Sequence, residues 1–190
     1  MEPGVILDFW FQELAPRHWF LGSKKLDAEV RRRFSAWVAA ALKGDLDAWA
    51  EAPRGRLALV LLLDQFTRNI HHGSPGAFAG DAKAQALVVE GLAARMDMPL
   101  NLAERHFFYM PLVHAEDPKL QALSMKKFAA YLREARSVVK HQEDHAAVIA
   151  RFGRFPTRNA ALGRASTPEE AAFLSELERK AMSNKRSKHP

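Results

Sequence analysis

The sequence predicts an all-α protein of about eight helices packed as antiparallel pairs, and three observations carry that reading. Apolar residues recur at steps of three and four along most of the chain, with no convincing two-residue alternation of apolar and polar. Periodic segments are punctuated by Ser, Asp, Asn or Thr where a helix should start and by Pro or Gly where it should stop. No Asn-Gly or Asp-Gly pair marks a tight hairpin turn. The links between segments are short, as expected of neighbouring helices that run back and forth. No exact internal repeat is visible.

The first helix is expected from Val5 to Leu14, with Pro3 tolerated in its opening turn and Pro16 ending it. Trp10, Trp19, Trp37 and Trp49 all fall in the first fifty residues, so this region should supply bulky core anchors. Lys24 to Lys43 is a long amphipathic helix whose stripe is Leu26, Val30, Phe34, Trp37, Val38 and Ala41. Gly44 can close it in the left-handed conformation, and Asp45 can cap a short successor through Trp49.

Pro53 opens a central helix that contains the most distinctive stretch of the chain, Leu57 to Asn69. Leu57 to Leu63 are apolar without a break, so that part must be buried on every side. At about 100° per residue, Asp64, Gln65, Arg68 and Asn69 then share one arc. A helix that starts in the core therefore ends by presenting a polar cluster. His71, His72 and Gly73 close it.

Ser74 to Gly80 is a turn-rich loop, and Asp81 is expected to cap a helix running to about Arg95. Asn101 and Glu104 have capping-box spacing for the next helix, which Pro111 should end or kink. Asp117-Pro118 starts another, with Ser137 to Lys140 as a connection before a separate helix over His141 to Phe152. Gly153 and Pro156 leave Arg154 and Arg158 on an irregular loop. Thr167-Pro168-Glu169-Glu170 combines a capping box with Pro in the first position, a strong start for the last helix. The expected organisation is one domain over residues 1–182 and a basic, disordered tail over 183–190.

Hydrophobic content of 48% with 26% charged residues is that of an ordinary globular protein. There is no cysteine, which excludes disulfides, thiol nucleophiles and cysteine-bound metal, and which fits a cytoplasmic setting. The N-terminus has no basic stretch ahead of its apolar residues, so no signal peptide is expected. The apolar run Leu57 to Leu63 is far short of the roughly 20 residues that span a bilayer. The net charge of +6 drops to +3 without Lys185, Arg186 and Lys188 of the tail. Basicity alone is therefore a poor argument for nucleic acid, and Arg31, Arg32 and Arg33 read first as a solvated helix face.

Three polar stretches can carry chemistry. Asp64, Gln65, Arg68 and Asn69 form the first. His114, Glu116 and Asp117 form the second, at the junction of two helices, with Asp117 as a cap. The third is Arg151, Arg154, Arg158 and Asn159 in the segment RFGRFPTRN, followed by Arg164. Guanidinium forks suit carboxylate and phosphate. They can line a pocket for an anion, or hold the loop down by pairing with Asp64, Glu116, Asp117 and carbonyls at helix ends. His141 and His145 are four apart, but HQEDH lacks the Glu of a zinc-protease helix, and no metal site is assigned. No nucleophile elbow, phosphate loop or dinucleotide fingerprint is present, and no cofactor is expected.

The combination LLDQFTRN, YMPLVHAED and HAAVIARFGRFPTRN resembles the bacterial domain-of-unknown-function family 924, as do DFWFQELAPRHWF and NAALGRASTPEE. The resemblance runs from about residue 5 to residue 176. It implies a helical superhelix similar to tetratricopeptide-repeat proteins and no established activity. It also draws Asp64, Gln65, Arg68, Asn69, His114, Glu116, Asp117, His145, Arg151, Arg154, Arg158 and Asn159 into one set of matching polar positions. Thr67, Ala115 and Thr157 depart from the family pattern, which usually has Pro, Ser and His there.

The expected function is non-catalytic: a binding or scaffold protein with an arginine–carboxylate pocket for an anionic small molecule or peptide. That pocket requires the segments ending near residue 69 and starting near residue 151 to meet. The alternatives are a hydrolytic or metal-assisted enzyme, with His114 or His145 as base and Glu116 as its partner, and weak nucleic-acid binding through the basic segments.

Overall fold

The computed structural model describes residues 1–186, and these form eight α-helices with short 3-10 and π turns between them. No strand occurs among the described residues. The helices are α1 (Pro3–Asp8), α2 (Lys24–Lys43), α3 (Pro53–Leu61), α4 (Thr67–Ile70), α5 (Asp81–Ala93), α6 (Leu102–Val113), α7 (Pro118–Phe152) and α8 (Pro168–Arg186). Packing groups the chain into two compact units, Met1–Arg133 and Glu134–Pro190. The tail expected from residue 183 overlaps the end of α8, and residues 187–190 lie outside the described residues. No described helix is long and apolar enough to cross a membrane.

The first unit is built around α3. Leu57 to Leu63 are each at most 1% exposed, as a helix apolar on all sides requires. In the first unit α1, α5 and α6 pack on α3, while α2 packs on α4 and the turn before it. Phe9, Phe34 and Phe66 meet with ring centroids 4.8 to 5.8 Å apart. Trp10 joins them edge-on to Phe107 at 5.2 Å. Each such ring contributes roughly 1.5–3 kcal/mol by burial alone. The indole N–H of Trp19 donates to the Trp10 carbonyl at 2.9 Å, so the second tryptophan also pins the chain beyond Pro16.

Local signals set several ends as expected. Ser23 Oγ accepts from the Leu26 amide, and Gly44 closes α2 at φ 100°, a conformation that disfavours any side chain. Asn101 and Glu104 form a reciprocal capping box at 3.0 Å on each side. Asp117 Oδ1 accepts from the Lys119 amide at 2.6 Å.

Several expectations need correction: Asp45 does not cap the short turn Asp47–Glu51, whose cap position is Leu46, and the first helix passes into a π turn over Phe9–Glu13. The central helix is not one regular element: Leu62–Phe66 is a π turn between α3 and α4. Asp81 does not cap α5, because Gly80 holds that position and the Asp81 side chain faces Arg68. Pro111 lies inside α6, buried, and the helix continues to Val113. There the proline removes one amide donor near a helix end, where one lost bond is tolerable. Ser137 to Lys140 is not a connection, since α7 is continuous over 35 residues. No Pro or Gly occurs between Lys119 and Phe152, and Ser137 Oγ folds back onto the Glu134 carbonyl at 2.7 Å.

In the second unit, the C-terminal part of α7 packs against α8 through Phe152 and Phe173, whose centroids are 5.1 Å apart. Between them, residues 153–167 form a loop holding a 3-10 turn, Pro156–Arg158.

Candidate functional site

The candidate site of the first unit grows from the π turn. A turn one residue wider than α-helical releases backbone carbonyls from their regular partners, and side chains take them up. Thr67 Oγ1 donates to the Leu63 carbonyl at 2.7 Å and the Asp64 carbonyl at 3.1 Å. Arg68 Nη1 donates to the same Asp64 carbonyl at 2.7 Å. Thr67 is thus a donor to the turn.

The Asp64 carboxylate is 1% exposed and accepts three donors. Arg68 Nη1 reaches Oδ1 at 3.0 Å, His114 Nδ1 reaches Oδ1 at 2.8 Å, and Gln65 Nε2 reaches Oδ2 at 2.6 Å. A carboxylate facing Nδ1 makes that nitrogen the N–H of the ring and leaves Nε2 as its acceptor. The same Nη1, together with Nη2, meets Asp81 in a bidentate pair, 2.9 Å from Nη1 to Oδ1 and 3.0 Å from Nη2 to Oδ2. Asp81 can come this close because residue 80 is glycine: a Cβ there would lie 2.2 Å from the Leu63 carbonyl oxygen. Gly80 therefore brings α5 against the π turn.

Two clefts flank Arg68. The first, about 770 Å³, is lined by Arg68, Asp81 and His114 together with Glu116, Asp117 and Gln85. The second, about 360 Å³, is lined on its polar side by Asp27, Gln65 and Asn69 and on its apolar side by Trp19, Phe20 and Phe78. Arg68 and Phe78 belong to both walls, with the guanidinium 5.6 Å from the ring centroid.

Asn69 therefore serves a different partner from its neighbours on the helix. Its Nδ2 donates to Asp27 Oδ1 at 2.8 Å, and His72 Nδ1 meets Asp27 Oδ2 at 3.1 Å. The arc read from the sequence splits in two, with Asp64, Gln65 and Arg68 turned to one carboxylate group and Asn69 to another.

The remaining candidates belong to the second unit and are engaged there. Arg154 forms a bidentate pair with Glu170, 2.6 Å from Nε and 2.8 Å from Nη2, and also donates to the Ala165 carbonyl at 3.0 Å. Asn159 Nδ2 donates to Glu170 Oε2 at 3.2 Å and the Thr167 amide to the same oxygen at 2.8 Å. Arg154 first, then the Thr167 amide, hold the Glu170 carboxyl down at about 2 against the upward push of burial. Arg151 pairs with Glu169 at 2.9 Å and lies over Phe152, while Arg158 lies over Phe155 at 4.6 Å. His145 Nδ1 sits 2.9 Å from the His141 carbonyl. These contacts tie the loop over 153–167 to α8.

The basic run of α2 is likewise spoken for. Arg31 donates to the Ile70 carbonyl, Arg32 pairs with Glu29, and Arg33 pairs with Glu13. Among the described residues no group of three or more His, Cys, Asp or Glu is placed to hold a metal ion. Sequence reasoning missed Asp81, Asp27 and His72. Asp81 carried a helix-start signal that masked its pairing, and the other two carried no local signal.

A family model described as "Bacterial protein of unknown function (DUF924)" matches residues 6–178. A solved structure, a protein of unknown function from Agrobacterium tumefaciens, is 36% identical, with 92% of this chain and 97% of that chain covered at a TM-score of 0.65. No curated protein matches. The chain is a member of the bacterial domain-of-unknown-function family 924.

Proposed function

We propose that this is a small-molecule-binding protein whose ligand enters the first cleft and carries a positive or donor-rich group, such as an amine or guanidine. The observation that carries the reading is the charge of the lining. Asp81, Glu116 and Asp117 supply three carboxylates against the one guanidinium of Arg68, whose fork is already shared between Asp64 and Asp81. A cation meets unmatched acceptors there. An anion, the ligand expected from the arginines alone, has to displace Asp81 from Arg68 first. The absence of cysteine supports placing this activity in the cytoplasm.

Calorimetric titration with methylguanidinium, acetate and inorganic phosphate tests the proposal. Methylguanidinium is expected to bind in preference to both anions, and Glu116→Gln to weaken it roughly five- to tenfold, as loss of one charged acceptor does. Preferential binding of acetate or phosphate, strengthened by Asp81→Asn, would replace it with the anionic reading.

A second reading rests on the contact between His114 and Asp64. A buried carboxylate that fixes the tautomer leaves Nε2 as a proton acceptor at the cleft wall, the arrangement a general base needs. Asp64, not Glu116, is then the partner of the imidazole. Hydrolysis of p-nitrophenyl acetate that His114→Ala leaves unchanged would remove this reading.

A further inference from the structure

We infer that the second cleft is a separate binding site for a primary ammonium attached to an aromatic or other apolar body. Two amides have their orientation fixed by the network. Gln65 Nε2 donates to Asp64 and Asn69 Nδ2 donates to Asp27. A carboxylate can only accept, so in each case the nitrogen is the atom that faces it. What Gln65 and Asn69 have left to offer the cleft is a carbonyl oxygen each, beside the second N–H of each amide. Asp27 adds carboxylate oxygens whose partners are an amide and an imidazole, and its side chain is only 13% exposed.

The polar side of this cleft therefore presents acceptors from three residues within one small volume. The guanidinium at its edge, Arg68, is held by Asp64 and Asp81. An ammonium group has three donors and no acceptor, which matches acceptors from three residues. Opposite lie Trp19, Phe20 and Phe78, with Phe20 66% and Phe78 61% exposed. Exposed rings beside a recessed carboxylate suit a ligand that is apolar at one end and cationic at the other, since ring faces attract cations and ring bodies bury carbon. A cleft of about 360 Å³ is the size of a small amine of this kind. The inference does not depend on the first cleft, because its acceptors are Gln65, Asn69 and Asp27 rather than Glu116 and Asp117.

The test uses three probes of one shape: phenethylammonium, 2-phenylethanol and 3-phenylpropionate. Binding to the full chain is followed by calorimetry and by the indole N–H resonance of Trp19. Phenethylammonium is expected to bind at least tenfold more tightly than the alcohol, about the worth of a charged hydrogen bond, and the carboxylate to bind more weakly still. Asn69→Leu is expected to cost about tenfold in affinity for the ammonium. Because Asn69 also contacts Asp27, the exposed Phe20→Ala serves as the second variant and is expected to weaken all three probes several-fold. Equal binding of ammonium and alcohol, or no response of Trp19 at millimolar ammonium, overturns the inference. So does binding that is lost in Glu116→Gln and untouched in Phe20→Ala, which would put the probe in the first cleft.

Discussion

Asp64 and Glu170 are both carboxylates buried beside an arginine, one in each unit, and they are built in opposite ways. Glu170 takes its partners from a short run of chain: Arg154, Asn159 and Thr167 all lie within sixteen residues of it. Each donor ties the same loop to the first turn of α8. Asp64 takes Arg68 and Gln65 from its own helix but His114 from fifty residues away, and Arg68 then reaches on to Asp81. That second network borders an open cleft. The first arrangement closes a loop, whereas the second holds polar atoms in place where a ligand can reach them. An arginine–carboxylate pair is thus no sign of function by itself. What matters is whether groups around it are left with bonding capacity that faces solvent.

The comparison can be broken at its strongest point by Arg68→Ala. This leaves the Asp64 carboxylate buried with Gln65 and His114 as its remaining donors and frees Asp81. Breaking a buried pair commonly costs about 3–5 kcal/mol, and the partial exposure of Arg68 brings the expectation towards the lower end. A fall of roughly 10 °C in melting temperature is expected. A change below about 2 °C would show that Asp64 is not dependent on its arginine.

Glu170 sharpens the contrast through acid. Its carboxyl titrates near 4.5 when unfolded and about 2 when folded, so the unfolded chain binds the extra proton between those values. Stability from this group is therefore full above about pH 4.5 and is lost as pH falls towards 2. Arg154→Ala is expected to remove that part of the acid transition and to lower the melting of the second unit by roughly 5 °C. Calorimetric scans between pH 5 and 2.5 check it. An acid transition of the second unit that is the same in wild type and variant contradicts it.

The smallest effect belongs to His106, a group outside both networks. Burial holds its pKa below the usual 6.5, and its rings of contact are Phe20, Phe107, Phe128 and Tyr131. Here the unfolded chain takes up a proton below pH 6.5 that the folded chain resists, so stability falls as pH drops. The slope is at most about 1.4 kcal/mol per pH unit. His106→Leu should flatten the melting-temperature profile between pH 6.5 and 5 while leaving the values above pH 7 within a few degrees.

Much of the fold can be read along the chain because its signals are local. Ser23 and Gly44 bracket α2 at the bounds the pattern predicts, and Asn101 with Glu104 starts α6. Thr167 with Glu170 likewise starts α8, where the Glu170 amide donates to Thr167 Oγ1 at 3.2 Å. The failures have a common physical origin. The π turn at Leu62–Phe66 has the composition of an ordinary helix, since nothing in a run of leucines encodes one extra residue per turn. The Ser137–Lys140 segment loses its apolar stripe without any residue that forbids helix, so the helix persists. In the site, Asp64 and Arg68 stood out because they follow an unbroken apolar run, and His114 because it stands with two carboxylates where two helices meet. Asp81 and Asp27 did not, because their role is decided by partners thirteen and forty-two residues distant. Sequence identifies which residues are unusual, and only the packing of α2, α5 and α6 decides which of them meet.

The wide turn at Leu62–Phe66 also makes the site vulnerable in a way no side-chain substitution is. Deleting one leucine from it would restore regular winding and keep the stretch just as oily. A wide turn holds one residue more than a regular one over nearly the same sweep, so the residues beyond would keep their facing while the carbonyls freed at the turn regained amide partners. Thr67 and Arg68 would lose the carbonyls they now occupy to backbone amides. A single lost codon there would unseat the guanidinium shared by both clefts while leaving hydropathy along the chain almost unchanged.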